Sequence, residues 1–190
     1  MSDVISPLGG KTVQGYVTVR EIGPLGMITL RCAHSDPALA PALAALSLDM
    51  PGVRRIEADE SRACAWMSPD ELLLVLPYGE VAQALATLAS KLVGTHHLAA
   101  DVSDARAVFR IKGQGVREVL AKLFPVDLSP AVFGPGEIRR TRAAQVAAAF
   151  WLSAEDEATL VSFRSVAGYV MGLLETSARP GSEVGLFGGA

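Results

Sequence analysis

Residues 99–128 read "AADVSDARAVFRIKGQGVREVLAKLFPVDL", and the fold turns on this stretch. "HLAADV", from His97, is a strand that ends in Asp101, Ser103 and Asp104. Asp and Ser suit a strand end because their side chains bond neighbouring backbone groups. "DARAVFRIK" then alternates, with Ala107, Phe109 and Ile111 on one face of a second strand. "GQGVREVLAKLF" follows as a helix bearing Val116, Val119, Leu120 and Leu123, stopped by Pro125.

The same rhythm runs outward in both directions. Upstream, "YVTVREI" places Val17, Val19 and Glu21 on one face, and "GMITLRC" follows after "GPLG", which suggests a strand pair. "DPALAPALAALSL" is a short helix with Asp36 as N-cap and Pro37 at its first position. "ACAWM" and "ELLLVLP" are strands joined by the turn "SPDE", and the unbroken run Leu72–Leu76 reads as a strand buried on both faces. In "GEVAQALATLASKLVG", Val81, Leu85, Leu88 and Leu92 form one helical face closed by Gly94. Downstream, 126–139 is a loop, "RRTRAAQVAAAFWL" and "ATLVSFR" are strands, and "SVAGYVMGLLETSA" is a helix capped by Ser165. Its inward face holds Val166, Tyr169, Val170, Leu173 and Leu174. Helices following strands in both halves predict an α+β protein of two mixed sheets, each faced by helices. The expected division is an N-terminal arm 1–14, a first half 15–95, a second half 96–178 and a flexible tail 179–190, together one structural unit.

Composition narrows the function classes. The 190 residues carry a formal charge of −3 with Lys and Arg scattered, so neither a nucleic-acid patch nor a basic membrane-surface helix is expected. Hydrophobic residues make up 50% and charged residues only 19%, against roughly 25% in a typical soluble domain. The longest uncharged runs, Pro37–Leu48 and Ala143–Ala154, fall short of the roughly 18 apolar residues that a membrane span requires. The apolar excess instead suggests surface buried against another protein. Cys32 and Cys64 lie in no Cys-x-x-Cys pair and read as reduced core residues. "MSDVISPLGG" lacks the charged and apolar regions of a signal peptide, and the expected location is the cytoplasm.

Each chemically suggestive group also has a structural reading. Asp101, Ser103 and Asp104 could be a carboxylate pair, or a strand-end turn with no histidine or second acid placed nearby. Gly113-Gln114-Gly115 could cradle a phosphate, or simply make a tight turn, since neither a third glycine nor Lys-Ser/Thr follows. His96 and His97, adjacent on a strand, point to opposite faces and cannot readily share a metal. Asp70-Glu71 reads as a solvated turn, and Trp66 and Trp151 as core or interface anchors rather than a cofactor box. No residue is assigned a catalytic, cofactor-binding or metal-binding role.

The order of "WMSPDELLLVLP", "ADVSDARAVFRIKGQGVREVLAKLFPVDL", "FGPGEIRRTRAAQVAAAFWL" and "FRSVAGYVMGLLE" resembles the gamma subunit of heterotetrameric sarcosine oxidase over about residues 15–178. That family is itself similar to the folate-binding glycine cleavage T-protein, and the resemblance implies a T-protein-like fold. The shared frame is Asp101-Val102-Ser103, Gly113 with its helix, Asp127-Leu128, Gly136 and Thr141. After the counterpart of Thr141, the T-protein family carries a Gly-Gly-x-x-Asp-Asp-type turn, whose acid works on the folate-bound intermediate. This chain has Ala143-Ala144-Gln145-Val146-Ala147-Ala148-Ala149 there, and alanine can neither take a proton nor steady a cation.

The resemblance therefore implies a non-catalytic structural subunit. Its expected partners are the alpha, beta and delta subunits of an oxidase that converts sarcosine to glycine, hydrogen peroxide and a one-carbon unit passed to tetrahydrofolate. FAD, FMN, NAD and tetrahydrofolate are expected on alpha and beta, and zinc on delta. Trp66, Trp151, Tyr169, Phe187 and the two terminal arms are the candidate contact points. The alternatives are a solitary folate-binding member of the T-protein superfamily and a gamma-type subunit of a dimethylglycine or other amine oxidase.

Overall fold

The structure, a computed structural model, describes residues 4–187. Two compact units emerge, one of residues 25–104 and one made of residues up to 24 together with those from 105 onward. They are not the consecutive stretches 15–95 and 96–178 that the strand–helix rhythm suggests. The cause is a long-range pairing: a strand near the start of the chain adds to the sheet of the second half.

The unit 25–104 holds strands β3 (Gly26–Cys32), β4 (Ile56–Ala58), β5 (Ala63–Ser68), β6 (Glu71–Leu76) and β7 (His97–Asp101). It also holds helices α1 (Leu39–Ala44) and α2 (Val81–Lys91). The sheet order is β4-β5-β6-β3-β7. Residues pointing to one face of the sheet (Ile28, Leu30, Cys64, Leu72, Leu74) pack with Leu39 and Leu43 of α1 and Val81, Ala84 and Leu88 of α2. Every residue of β6 is buried, as its unalternating sequence predicts.

The other unit holds β1 (Thr12–Gln14), β2 (Thr18–Ile22), β8 (Arg106–Lys112), β9 (Ile138–Ala143), β10 (Val146–Ala154) and β11 (Glu157–Phe163). Its helices are α3 (Val116–Ala121) and α4 (Ala167–Ser177), and its sheet order is β1-β2-β8-β11-β10-β9. Val19, Phe109, Phe150 and Leu160 from the sheet meet Val119 and Leu120 of α3 and Val170, Met171 and Leu174 of α4. Phe150 sits at the centre, with Phe124 tilted against it at 4.5 Å and Phe133 edge-on at 5.4 Å between ring centroids.

The α+β class stands, but several local expectations do not. Both sheets are antiparallel throughout rather than mixed. β2 and β3 are not a pair: β2 joins β8, and β3 joins β6 and β7. The arm 1–14 is not wholly irregular, because β1 lies in it, and its residues 1–3 fall outside the described residues. Ser165 does not cap α4. It lies in a 3₁₀ turn, Arg164–Val166, and α4 has no side-chain cap. That turn resets the helical stripe to Ala167, Val170, Met171 and Leu174, and leaves Tyr169 46% exposed. The tail has no regular element over 179–187, yet it is tied down by hydrogen bonds described below, and 188–190 fall outside the described residues. Among the described residues no helix is long and apolar enough to cross a membrane.

Candidate functional site

The Asp101–Asp104 segment closes on itself. Asp101 Oδ1 accepts from the Ser103 N–H at 2.9 Å and from the Ser103 hydroxyl at 2.6 Å. The same Ser103 oxygen accepts from the Met27 N–H at 2.9 Å, locking the end of β7 to β3. Asp104 accepts from the Tyr78 hydroxyl at 3.1 Å. The two carboxylates therefore serve different partners and do not converge.

The Gly113-Gln114-Gly115 turn is filled by protein. A Cβ at Gly115 would sit 2.4 Å from the Tyr16 ring, and one at Gly113 would sit 3.1 Å from Val17. Gly113 also has φ of +142°, a conformation open to glycine. These glycines let the Tyr16-Val17 segment that leads into β2 approach the start of α3 closely. Thr141 faces Ala148 across the β9–β10 ladder. The acid-free segment beyond Thr141 is a hairpin whose loop is Ala144-Gln145, with Ala144 at φ +49°.

The remaining candidates are scattered. His96 is exposed, and His97 Nδ1 lies 3.0 Å from the Thr95 carbonyl. Asp70 and Glu71 both pair with Arg31. Trp66 is half-buried, Phe187 is packed on its own unit's core, and Trp151 is buried, so Trp151 is no surface anchor. Cys32 and Cys64 are free and buried, and burial pushes the Cys64 thiol up to about 12. Among the described residues no group of three or more His, Cys, Asp or Glu could hold a metal ion.

The polar groups that converge most tightly are clasps that periodicity could not reveal. Buried Glu21 on β2 accepts from the Ser6 hydroxyl and from the N–H groups of Leu8 and Gly10, fixing the N-terminal arm. Buried Arg117 on α3 donates to the carbonyls of Leu128 and Phe133 and pairs with Glu155 at 2.6 Å, holding the 126–139 loop. Glu118 accepts from the N–H groups of Val184 and Gly185, while Lys122 donates to the Ser177 and Ser182 carbonyls and the Tyr16 hydroxyl. Burial opposes charge on both. The N–H donors and Lys122 nevertheless hold the Glu118 carboxyl below its ordinary range, and Tyr16 and Glu118 hold the Lys122 ammonium above its own. A buried carboxylate or guanidinium read from sequence alone suggests chemistry, whereas here each one organises a loop or terminus.

What the surface offers is an apolar patch. An open depression of about 610 Å³ is lined by Pro7, Ala105, Phe163, Arg164 and Ser165. Arg106, opposite Phe163 across the β8–β11 ladder, stacks its guanidinium 4.4 Å from the centre of the Phe163 ring. Such an arrangement can bind an apolar side chain or a carboxylate, and among the described residues lining it there is no general base to activate the Ser165 hydroxyl.

A family model described as the sarcosine oxidase gamma subunit family matches residues 31–179. A sarcosine oxidase subunit gamma from Arthrobacter sp. is 30% identical over 143 residues, spanning 74% of this chain and 70% of the relative. A chain in the structure of heterotetrameric sarcosine oxidase from Corynebacterium sp. U-96, in complex with pyrrole 2-carboxylate, superposes with a TM-score of 0.80. It is 26% identical, over 88% of this chain and 87% of that one. Aminomethyltransferase T of the glycine cleavage system from Bartonella henselae shares the fold, with a TM-score of 0.59 at 15% identity over 84% of this chain and 45% of its own.

Proposed function

Because the chain belongs to the sarcosine oxidase gamma subunit family, we propose that it is a non-catalytic subunit of a heterotetrameric sarcosine oxidase and docks on the alpha subunit. The complex would oxidise sarcosine to glycine and hydrogen peroxide and pass a one-carbon unit to tetrahydrofolate. Flavins, NAD, folate and zinc would reside on the alpha, beta and delta subunits, and the assembly would work in the cytoplasm.

The observation that carries this reading is the near-full-length likeness to a chain of the Corynebacterium heterotetramer. The non-catalytic role is supported by the hairpin beyond Thr141, where Ala144-Gln145 and the flanking alanines supply no acid. A shared frame carries no chemistry by itself.

The test is co-expression with the genes of the other subunits, each alone and together, followed by size-exclusion chromatography and oxygen uptake with sarcosine. This chain should co-elute with the flavin-bearing subunits and lack flavin absorbance when purified alone. Its calorimetric titration with tetrahydrofolate should be flat. A stable solitary monomer that never co-elutes, or saturable micromolar folate binding, would overturn the proposal.

A further inference from the structure

The depression at the start of β8 and the end of β11 combines three properties. Its aromatic, Phe163, is 47% exposed although it closes a sheet strand. Ile5, on the arm whose Pro7 lines the depression, is 61% exposed, and that arm is fixed: Arg164 donates to the Ile5 carbonyl at 2.9 Å, and Glu21 grips Ser6, Leu8 and Gly10. Among the described residues lining the depression only Arg164 is charged, a cation in a chain whose net charge is −3.

We infer that this patch is the docking site for the alpha subunit of the oxidase, through a segment of alpha that presents an apolar side chain flanked by carboxylates. The inference rests on the proposed role as an oxidase subunit. Exposed aromatic and arginine side chains held in fixed positions are the residues that dominate interface energetics. A patch already ordered loses little conformational freedom on binding. Phe163 and Ile5 supply apolar area, and Arg164 supplies the charge that an acidic flank would complement. A second copy of this chain fits poorly. A two-fold contact through the patch would bring two Arg164 side chains into one interface with no carboxylate among the described lining residues to pair either.

The experiment uses the complex co-expressed with a tagged alpha subunit, and reads the amount of this chain retained per alpha chain. The variants are Arg164→Glu, Arg164→Lys and Phe163→Ala, with Val93→Asp in the other unit as a surface control. Far-ultraviolet circular dichroism and melting of each variant check folding. Retention should fall below about a tenth of wild type for Arg164→Glu, by less for Phe163→Ala, and least for Arg164→Lys, with Val93→Asp unchanged. If wild type is not retained at all, the subunit reading itself fails. If wild type is retained and folded Arg164→Glu and Phe163→Ala are retained equally, the docking site lies elsewhere and this inference is overturned. A wild-type homodimer that Arg164→Glu dissociates would overturn it in favour of a second copy.

Discussion

The Ser6 hydroxyl donates a 2.8 Å hydrogen bond to the Glu21 carboxylate, 15 residues further along the chain. The same carboxylate takes the Leu8 and Gly10 N–H groups, so a buried charge is satisfied by an arm that would otherwise have no regular partner. Glu21→Ala should destabilise the protein by about 3 kcal/mol, since hydrogen bonds to charged groups are worth more than neutral ones. Urea denaturation measures this. Limited proteolysis should show cleavage near Pro7 in the variant and not in wild type.

The Glu118 clasp makes a signed prediction about acid. Its folded-state carboxyl is depressed, so its contribution is complete above the ordinary glutamate value of about 4.3 and is lost as pH falls through the lower folded value. Wild type should therefore lose stability on going from about pH 5 to about pH 3 by more than Glu118→Gln does. Equal slopes of urea midpoint against pH would remove the clasp from the account. Hydrogen exchange at Val184 and Gly185 should speed up over the same range.

Ala144 adopts φ +49° at the tip of the β9–β10 hairpin, a region that costs a side-chain-bearing residue roughly 1–2 kcal/mol. Ala144→Gly relieves that strain but loosens the unfolded chain, and the net gain expected is about 0.5–1 kcal/mol. Thermal melting of the two proteins side by side decides it.

Asp101 accepts two bonds from Ser103. Asp101→Ala should cost about 1–2 kcal/mol, and Asp101→Asn, which keeps an acceptor, should cost less. Turnover per flavin in the assembled oxidase should stay at the wild-type level for both. Collapse of turnover in a fully assembled Asp101→Asn complex would assign the carboxylate a role in the chemistry.

Burial pushes the Cys64 thiol up to about 12, and the Cys32 thiol is raised as well, chiefly by burial. In native protein at pH 8 the aromatic disulfide reagent DTNB should modify Cys64 about 100-fold more slowly, or more, than a free thiol. Both cysteines should react at once in guanidinium. Rapid native modification of Cys64 would show that its strand opens readily.

Much of this was legible in the sequence because periodicity reports burial directly. The alternation of Ala107, Phe109 and Ile111 and the solid run in β6 became buried strands as read. Adjacency in sequence, by contrast, says nothing of which sheet a strand joins. β2 and β3 are separated by three residues, Gly23 to Leu25, yet each pairs with strands far away in the chain. The clasps were hidden for a related reason. Glu21, Arg117 and Glu118 look like ordinary polar positions until the loops that satisfy them arrive. Tyr169 lies off the buried face because one 3₁₀ turn shifts the helical phase, and no residue type announces such a turn. The surface patch had no sequence signal beyond the scarcity of charge, since only the fold brings Arg164 to the Ile5 carbonyl, 159 residues away in the chain.

The pairing of Val19 with Ile111 sets the order in which this chain can mature on the ribosome. At roughly 5–20 residues per second, β2 leaves the exit tunnel seconds before β8 exists, and it waits with only β1 at its side, its other edge unpaired and Val17 and Val19 uncovered. The residues 25–104 emerge in between and contain all the strands of their own sheet, so they can condense first. The larger unit closes last, with a late search across a long loop of the kind that slows folding and favours aggregation. Chaperone dependence during synthesis should therefore follow β2. Weakening the β2–β8 ladder, for instance with Val19→Thr, should lower the soluble yield from a cell more than it lowers the melting temperature of the protein that survives.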